Sequence, residues 1–221
     1  MIPKIIHYIW FGDQKNKPQK RIDQWKVVLP DWHFKEWTED NLNLQRYPYV
    51  MTAYKMKRYG ICIDPFRPYI LHTHGGVWLD TDVNVYRDFS PLLDCSLLVG
   101  RRYGMGVSLG VLGAEPNQPV LAMGVDYYNE HWARSTVAME DASPSQFANV
   151  HGANFAPEPI FLAHVRRLYG IPTARDTQTA DGIIRFEDPE VLSIRMKSAP
   201  GNNYAEHLFE GSWCKDVRAP I

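Results

Sequence analysis

A pair of aspartates separated by one residue is the feature of this sequence best suited to chemistry. Asp80 and Asp82 lie near the end of the segment His74–Val83, in which two glycines precede three apolar residues. An apolar run that continues into an acidic residue predicts a buried strand whose carboxyl end emerges at a cleft. Two carboxylates this close repel each other there unless a cation lies between them. Carboxylate oxygens suit Mg²⁺ or Mn²⁺, which keep coordination positions for phosphate groups. The pair therefore predicts a metal site for a phosphorylated donor.

Other kinds of site also place two acidic residues this close together, and an acidic turn without any metal stays open as the simplest alternative. A calcium-binding loop would need glycine at Val85 and glutamate at Pro91, so the sequence excludes it. A haloacid-dehalogenase-type phosphatase carries the same Asp-x-Asp pattern after a strand. The match to that class is partial, because it has threonine or valine where Asn84 stands and its motif usually opens the domain.

The residues before the acidic pair predict a helix that brings two further charges near it. Asp64 is a favourable N-cap, Pro65 suits the first helical position, and Gly75 supplies a C-terminal stop. Arg67 lies one turn after Asp64, so both side chains can point toward the acidic pair. A role for Asp64 as a helix cap alone is the competing interpretation.

Two aromatic residues stand at the end of the first predicted strand, Ile2–Trp10. In open α/β sheets, ligands bind beyond the carboxyl ends of the strands, so Trp10, Phe11 and Gly12 fall where a base or sugar would lie. Closure of the core by both aromatic side chains is the competing interpretation, and composition alone favours it.

The rest of the chain predicts further helices and strands with one long irregular segment. Apolar residues at three- and four-residue spacing indicate helices, and short apolar or alternating runs indicate strands. The polar segment Ser135–Pro157 predicts a loop over the site. The predicted helices are Ile22–Leu29, Tyr49–Tyr59 with a stop at Gly60, Val120–Tyr128, and Phe161–Leu168 with a stop at Gly170; the predicted strands are His33–Trp37, Val83–Tyr86, Leu97–Gly100, Ser108–Leu112, Ile183–Phe186 and Val191–Arg195.

Composition narrows the class of protein. The 221 residues are 45% hydrophobic and 22% charged with a net charge of −1, which is typical of one soluble globular domain over residues 1–221. Basic and acidic residues are nearly equal in number, so the sequence lacks the excess of positive charge that is typical of nucleic-acid-binding proteins. Cys62, Cys95 and Cys214 are odd in number and far apart, show no zinc-ligand spacing and suggest no disulfide framework, which favours a reducing compartment. The sequence has no signal-peptide pattern or membrane-spanning run, so we expect a cytoplasmic protein.

Several separate segments follow one another in the order of a known family. They are Ile2–Gly12; Trp25, Pro30 and Glu36–Asn41; Asp64-x-x-Arg67 with Ile70-Leu71; Gly75–Val83; and, near the end, His207 with Gly211–Trp213. This series resembles the sugar transferases that contain the DXD motif, the glycosyltransferase family 32 type. That type is found among capsular polysaccharide and lipopolysaccharide enzymes and is related to yeast mannosyltransferases. The resemblance extends from residue 2 to residue 213.

The resemblance implies both a fold and a reaction. The fold is α/β of the GT-A kind, a Rossmann-like α/β/α sandwich with a mostly parallel central sheet. The reaction moves a hexose-type sugar from a nucleoside-diphosphate donor to an acceptor hydroxyl, with Mn²⁺ or Mg²⁺ as cofactor and retention at the anomeric carbon. The expected donor is a UDP-sugar in preference to a GDP-sugar. The implied acceptor is a saccharide or a glycolipid of polysaccharide biosynthesis, which the protein could meet at a membrane surface.

The family's functional residues carry over position by position. By this resemblance Asp82 would bind the metal directly, and Asp80 would bind the ribose or reach the metal through water. Asp64 and Arg67 would hold the donor sugar and would form the catalytic set together with Asp82. The remaining implied contacts are Trp10, Phe11 and Gly12 at the base, Gly76 in the donor site, His207 at the metal and diphosphate, and Ser212 and Trp213 closing over the diphosphate.

Three positions depart from the family pattern. The residue before Asp64 is Ile63 where serine is usual, the segment around Ser108 lacks an expected asparagine, and Leu208 stands in place of a second histidine. These changes predict an altered donor pocket. They also leave open a catalytically silent nucleotide-sugar-binding protein with the same fold.

Overall fold

A twisted β-sheet carries the acidic segment at the carboxyl end of one of its inner strands. The computed structural model describes residues 1–101, 107–135, 157–170, 184–187, 192 and 203–208. Within these residues the main sheet has six strands in the order β2-β1-β3-β6-β5-β7, and a second sheet pairs β4 with β8. The strands are β1 Ile5–Ile9, β2 His33–Trp37, β3 Gly76–Leu79, β4 Val83–Val85, β5 Leu97–Arg101, β6 Val107–Ala114, β7 Ile184–Glu187 and β8 Ala205–His207.

Strand directions in the main sheet are mixed, with parallel pairs in the majority. The pairs β1/β2, β1/β3 and β5/β7 are parallel, whereas β3/β6 and β5/β6 are antiparallel. The parallel set β2-β1-β3 places the ends of three strands along one edge of the sheet, where ligands bind in open α/β folds. The prediction of an α/β fold with a mostly parallel central sheet is confirmed.

Helices cover both faces of the sheet. One face packs against a buried cluster that includes residues of α2 to α6, and the other against a cluster that includes Ile22 and Trp25 of α1. Both of these α1 side chains are fully buried, as their spacing predicts. The helices are α1 Gln19–Val28, α2 Pro48–Lys55, α3 Tyr59–Ile63, α4 Phe66–His74, α5 Pro119–Ser135 and α6 Pro157–Tyr169. This is the layered arrangement expected of an α/β/α sandwich.

The predicted helix Tyr49–Tyr59 is two helices, and the predicted stop at Gly60 is wrong. Helix α2 ends at Lys55, and Lys57 takes a left-handed backbone with φ of 57°. Gly60 then lies inside α3. A left-handed residue cannot continue a right-handed helix, so the break comes at Lys57, which carries no sequence signal for that conformation.

The interpretation of Asp64 as a helix N-cap is also wrong. Asp64 has helical backbone angles, φ −53° and ψ −44°, and follows α3 directly. Helix α4 begins at Phe66 after Pro65 and has no side-chain cap. The predicted stop at Gly75 is confirmed, since Gly75 is the C-cap with φ of 64°. The Asp64 carboxylate does not cap α4 and instead accepts a hydrogen bond from Arg67.

The later elements agree with the sequence where the structure describes them. Strands β5 and β6 and helices α5 and α6 contain the predicted segments, and Gly170 follows α6 with φ of 64°. Strand β7 pairs with β5, and Leu192 forms an isolated bridge to Ala205. The predicted loop Ser135–Pro157 and the predicted strand Val191–Arg195 lie almost entirely outside the described residues. Single-domain organisation over residues 1–221 stays a prediction.

Among the described residues, the structure contains no helix that is both long enough and apolar enough to cross a membrane.

Candidate active site

The acidic segment forms a tight turn at the end of a fully buried strand. All four residues of β3 are buried, which confirms the strand predicted from the apolar run. The Asp80 N–H donates to the Gly110 carbonyl of β6 at 2.9 Å, and the Val83 N–H donates to the Asp80 carbonyl at 3.0 Å. This second bond closes a turn over Asp80–Val83. The turn therefore starts from a rigid strand and carries both carboxylates.

His207 reaches the acidic turn from the other end of the chain. Strand β8 pairs antiparallel with β4, and His207 is the partner of Val83. The Leu208 N–H donates to the Asp82 carbonyl at 3.0 Å. His207 Nε2 then lies 2.9 Å from Asp82 Oδ1 and 3.8 Å from Asp80 Oδ2. The pairing of β8 with β4 thus places an imidazole against both carboxylates.

These three side chains form a donor set that fits a divalent cation. One ligand atom from each of Asp80, Asp82 and His207 lies within 4.8 Å of the other two. Two carboxylates and one imidazole suit Mn²⁺, and three protein ligands leave coordination positions for phosphate oxygens. The structure brings together the metal set named from the sequence, and occupancy by a metal stays a prediction.

Arg67 connects the acidic turn to helix α4. Its side chain is only 8% exposed, and its guanidinium lies 3.0 Å from Asp80 Oδ1 and 3.3 Å from Asp64 Oδ1. Burial alone would lower the pKa of this guanidinium, but the charges of Asp80 and Asp64 outweigh burial and raise it. Arg67 therefore stays charged and holds both carboxylates, as the spacing Asp64-x-x-Arg67 predicts for a pair facing the acidic edge.

Trp78 supplies a second donor to Asp80 that the sequence did not single out. Its indole Nε1 donates to Asp80 Oδ1 at 2.7 Å, and the Arg67 guanidinium lies 5.3 Å from the centre of the Trp78 ring. Asp80 Oδ1 thus accepts from two fixed donors, while Asp80 Oδ2 faces His207. The apolar pattern of β3 marked Trp78 as a core residue only, and its polar edge gave no separate signal.

Trp10 and Phe11 have different environments although they are adjacent in sequence. Trp10 is half-buried just beyond the end of β1, and its Nε1 donates to the Asp13 carbonyl at 3.3 Å. Phe11 is 4% exposed and packs edge-on against Tyr54. The core interpretation therefore holds for Phe11, and Trp10 is the aromatic that a ligand can reach.

Gly12 lies beside Trp10 and is packed against α3. It has φ of 87°, and a Cβ there would lie 2.9 Å from the Tyr59 ring. Its N–H donates to Glu39 Oε1 at 3.4 Å. A residue with a side chain would therefore be strained at this position, whether or not a ligand binds.

The structure does not bring Gly76 to the acidic turn. Gly76 starts β3, at the opposite end of the strand from Asp80, and a Cβ there would lie 2.6 Å from the Ile5 carbonyl. Its role in packing β3 against β1 accounts for the glycine, and contact with the donor has no support from this position. Ser212 and Trp213 lie outside the described residues, so their predicted role stays a prediction.

Two of the three positions that depart from the family pattern, Ile63 and Leu208, are sequence neighbours of the site residues Asp64 and His207. Ile63 ends α3 directly before Asp64, and Ser108 is buried in β6. Leu208 contributes its backbone N–H to Asp82, a contact that does not depend on its side chain. The histidine site is therefore formed although the second histidine is missing.

A wall of mostly apolar residues lies next to Asp64 and Arg67. It comes from α4, α5, α6 and β6, and apolar groups on this side keep water away from the buried guanidinium. Its members are Pro68, Leu109, Leu112, Val120, Leu121, Gly124, Tyr128, Phe161 and His164.

Known proteins resemble this chain in the region that contains the acidic turn. Residues 15–98 match the family described as glycosyltransferase sugar-binding region containing DXD motif. The chain is 33% identical over 127 residues to inositol phosphoceramide mannosyltransferase 3 of Schizosaccharomyces pombe. It is 28% identical over 144 residues to mannosyl phosphorylinositol ceramide synthase SUR1 of Saccharomyces cerevisiae. These alignments cover 54% and 60% of this chain but only 35% and 37% of the two yeast proteins, so the chain spans little more than a third of their length.

Solved glycosyltransferases align with most of the chain at low similarity. One, involved in the glycosylation of the major capsid of PBCV-1, has 13% identity and a TM-score of 0.45, with 96% of this chain and 97% of that chain covered. The galactosyltransferase LgtC, solved with donor and acceptor sugar analogues, has 10% identity and a TM-score of 0.44, with 92% and 86% covered. Both TM-scores lie below 0.5, so neither match assigns a function.

Over residues 15–98 the chain is therefore similar to the sugar-binding region of glycosyltransferases that contain a DXD motif, and the resemblance drawn from its sequence is confirmed.

Proposed function

We propose that this protein transfers a sugar from a nucleoside-diphosphate donor to an acceptor hydroxyl, with a divalent cation held by Asp80, Asp82 and His207. The observation that carries this proposal is the convergence of these three side chains from segments about 125 positions apart in the chain. Two carboxylates and an imidazole are a donor set that binds divalent cations, and the imidazole lies 2.9 Å from Asp82 although it comes from a distant segment. The match of residues 15–98 to glycosyltransferases supports the same activity.

The relatives narrow the sugar and the acceptor. Both yeast proteins are named for mannosyl transfer and for inositol phosphoceramide or its mannosylated product. We therefore propose mannose as the first sugar to test and a glycolipid as the first acceptor. The preference for UDP over GDP, retention at the anomeric carbon, a cytoplasmic location and an encounter with the membrane surface stay predictions.

Each residue of the site has a distinct task in this proposal. A bound divalent cation would stabilise the charge that builds on the leaving diphosphate, a contribution of several kcal/mol. Arg67 and Trp78 hold Asp80 in one orientation, so this carboxylate does not have to reorganise when the donor binds. Asp64 lies on the other side of Arg67, where the pair can orient sugar hydroxyls. The apolar wall beside them limits access of water, the competing acceptor.

Substitution of Asp82 tests the proposed function directly. We expect Asp82→Ala to abolish Mn²⁺-dependent release of nucleoside diphosphate from GDP-mannose and from a panel of UDP-sugars. The fold should be retained, because the change removes a partly exposed ligand and no core volume. Activity and Mn²⁺ binding are measured together, and Asp40→Ala, at an exposed aspartate, serves as the control.

The outcomes separate the two candidate functions. Unchanged turnover in Asp82→Ala would reject the metal-dependent transferase. Binding of Mn²⁺ and nucleoside diphosphate by the unsubstituted protein, without product release for any donor of the panel, would instead support the silent sugar-nucleotide-binding protein that the departures at Ile63, Ser108 and Leu208 leave open.

A further inference from the structure

Helix α1 donates side-chain hydrogen bonds to the acidic turn and to the strand that follows it. An Arg21 Nη1 donates to the Thr81 carbonyl at 2.9 Å, and the Trp25 Nε1 donates to the Val83 carbonyl at 2.8 Å. Gln24 donates to the Val85 carbonyl. The three donors stand at positions i, i+3 and i+4 of α1, so they share one helix face.

The three acceptors share one edge of strand β4 and the turn before it. Carbonyls alternate along a strand, so those of Val83 and Val85 point away from that of Asn84, and Thr81, in the turn before the strand, offers its carbonyl to the same helix. The opposite edge pairs with β8, where Leu208 N–H donates to the Asp82 carbonyl and Tyr86 N–H donates to the Tyr204 carbonyl. The segment after Asp80 is therefore held between the side chains of a helix on one edge and a strand on the other.

Arg21 differs from the other two donors because its acceptor lies inside the acidic turn. Thr81 stands between the two carboxylates, so the orientation of its carbonyl fixes the peptide that leads into Asp82. The Arg21 guanidinium also donates through Nε to Asn84 Oδ1 at 3.2 Å, which spans the turn from its second residue to the strand. A planar guanidinium with two such contacts restrains geometry that a single-point donor would leave free.

We propose that Arg21 is a positioning residue for the metal site, and this inference depends on the proposed function. The hydrogen bond from Arg21 to the Thr81 carbonyl fixes the turn on the side away from β8. It thereby keeps the Asp82 carboxylate facing His207, where a cation would be held. Arg21 need not touch donor or metal to do so. Removing a residue that orients a metal ligand without binding the metal itself typically lowers metal affinity or activity by about 10- to 100-fold.

Two neighbouring substitutions on the same helix face test this role. We expect Arg21→Ala to weaken the binding of Mn²⁺ alone by about tenfold, measured by the paramagnetic resonance signal of free Mn²⁺. Gln24→Ala removes a donor from the same strand edge but four residues beyond Thr81, so we expect its Mn²⁺ affinity to be unchanged. Thermal unfolding of both variants measures how much stability is lost with each hydrogen bond from α1. Arg21→Lys keeps one donor and should recover part of the lost affinity.

The outcomes are decisive in each direction. Equal Mn²⁺ affinity in Arg21→Ala and the unsubstituted protein would overturn the positioning role, and so would equal losses in Arg21→Ala and Gln24→Ala, which would indicate a purely structural edge contact. If Arg21→Ala does not fold, Arg21→Gln and Arg21→Lys are compared with Gln24→Ala by the same measurement. Asp82→Ala distinguishes the two proposals: retained Mn²⁺ binding there rejects the metal site itself, whereas loss there with no loss in Arg21→Ala rejects only this inference.

Discussion

At the scale of single residues, the two aspartates of the motif have separate environments. Asp80 Oδ1 accepts from Trp78 and Arg67, so that oxygen is already used inside the protein. Asp82 Oδ1 lies 2.9 Å from His207 Nε2. Asp80 therefore offers a cation its Oδ2 alone, and direct binding of a cation by Asp82 stays a prediction of the family resemblance.

The adjacent aromatics Trp10 and Phe11 give a test of ligand contact against core packing. We expect Trp10→Ala to weaken the binding of GDP or UDP by about tenfold, because base stacking on an aromatic ring contributes about 1–3 kcal/mol. The fold should be retained, since Trp10 is half-buried at the edge of the sheet. Isothermal calorimetry with Mn²⁺ present measures the dissociation constant.

Phe11→Ala is the matched control for that variant. Phe11 is 4% exposed, so truncation should lower the free energy of unfolding by about 3 kcal/mol or more. Chemical denaturation measures that loss. An unaltered nucleotide dissociation constant in Trp10→Ala would assign both aromatics to the core.

At the scale of elements, local patterns predicted the sheet better than they predicted the site. Strand β3 carries a continuous apolar run and helix α1 has apolar residues at helical spacing, and both formed where expected. The break at Lys57 and the helical backbone of Asp64 carry no such signal. Asp64 followed by Pro65 is a sequence typical of a helix N-terminus. In the structure, Asp64 instead follows α3 directly and has helical backbone angles. The backbone at both positions therefore departs from the preference of the local sequence.

Strand β8 shows why one of the three proposed metal ligands, His207, could be found only by family resemblance. Its three residues, Ala205–His207, have no alternating apolar pattern, and their pairing with Val83–Val85 joins segments far apart in sequence. No local rule places His207 beside Asp82. The contact of Arg21 with Thr81 is equally non-local, and neither pattern nor resemblance identified it.

Gly110 of β6 lies directly against the imidazole of His207 in β8. A Cβ at this position would lie 2.7 Å from His207 Nδ1, closer than side-chain carbons approach other atoms. We expect Gly110→Ala to displace the imidazole and weaken Mn²⁺ binding by about tenfold or more, with little loss of thermal stability because the ring can move outward. Titration with Mn²⁺ and thermal unfolding measure the two effects.

Gly113→Ala, in the same strand, is the control for Gly110→Ala. A Cβ there would meet Leu98 and Ile2 at 3.1 and 3.2 Å, within the core and away from the site. It should lower stability and leave Mn²⁺ affinity intact. Full Mn²⁺ affinity in Gly110→Ala would mean that His207 is not a ligand.

At the scale of the whole molecule, the sheet separates two tasks. The carboxyl ends of β1 and β3 carry Trp10 and the acidic turn, while a buried polar contact in the middle of β1 serves stability. His7 is fully buried and lies between Trp37 and the Gly75 carbonyl. The Trp37 indole can only donate, so His7 Nδ1 accepts and His7 Nε2 carries the proton that it donates to Gly75 at 2.9 Å. The neutral imidazole thus joins β1 to β2 and to the start of β3.

This arrangement makes the stability of the whole fold depend on pH. Burial lowers the pKa of His7 to about 4, with the charges of His74 and Lys35 acting in the same direction and the bond to Gly75 opposing them. The unfolded chain binds a proton as the pH falls through about 6.5, while the folded protein binds it only near pH 4. The contribution of neutral His7 is therefore complete above pH 6.5 and is lost progressively between pH 6.5 and 4.

The free energy of unfolding should fall across that window by about 3 kcal/mol from this residue. Urea denaturation of the unsubstituted protein at several pH values measures the slope, and His7→Gln should flatten it. His33→Gln, at an exposed histidine of the neighbouring strand, should not change it. A slope that persists in His7→Gln would place the pH dependence in other groups.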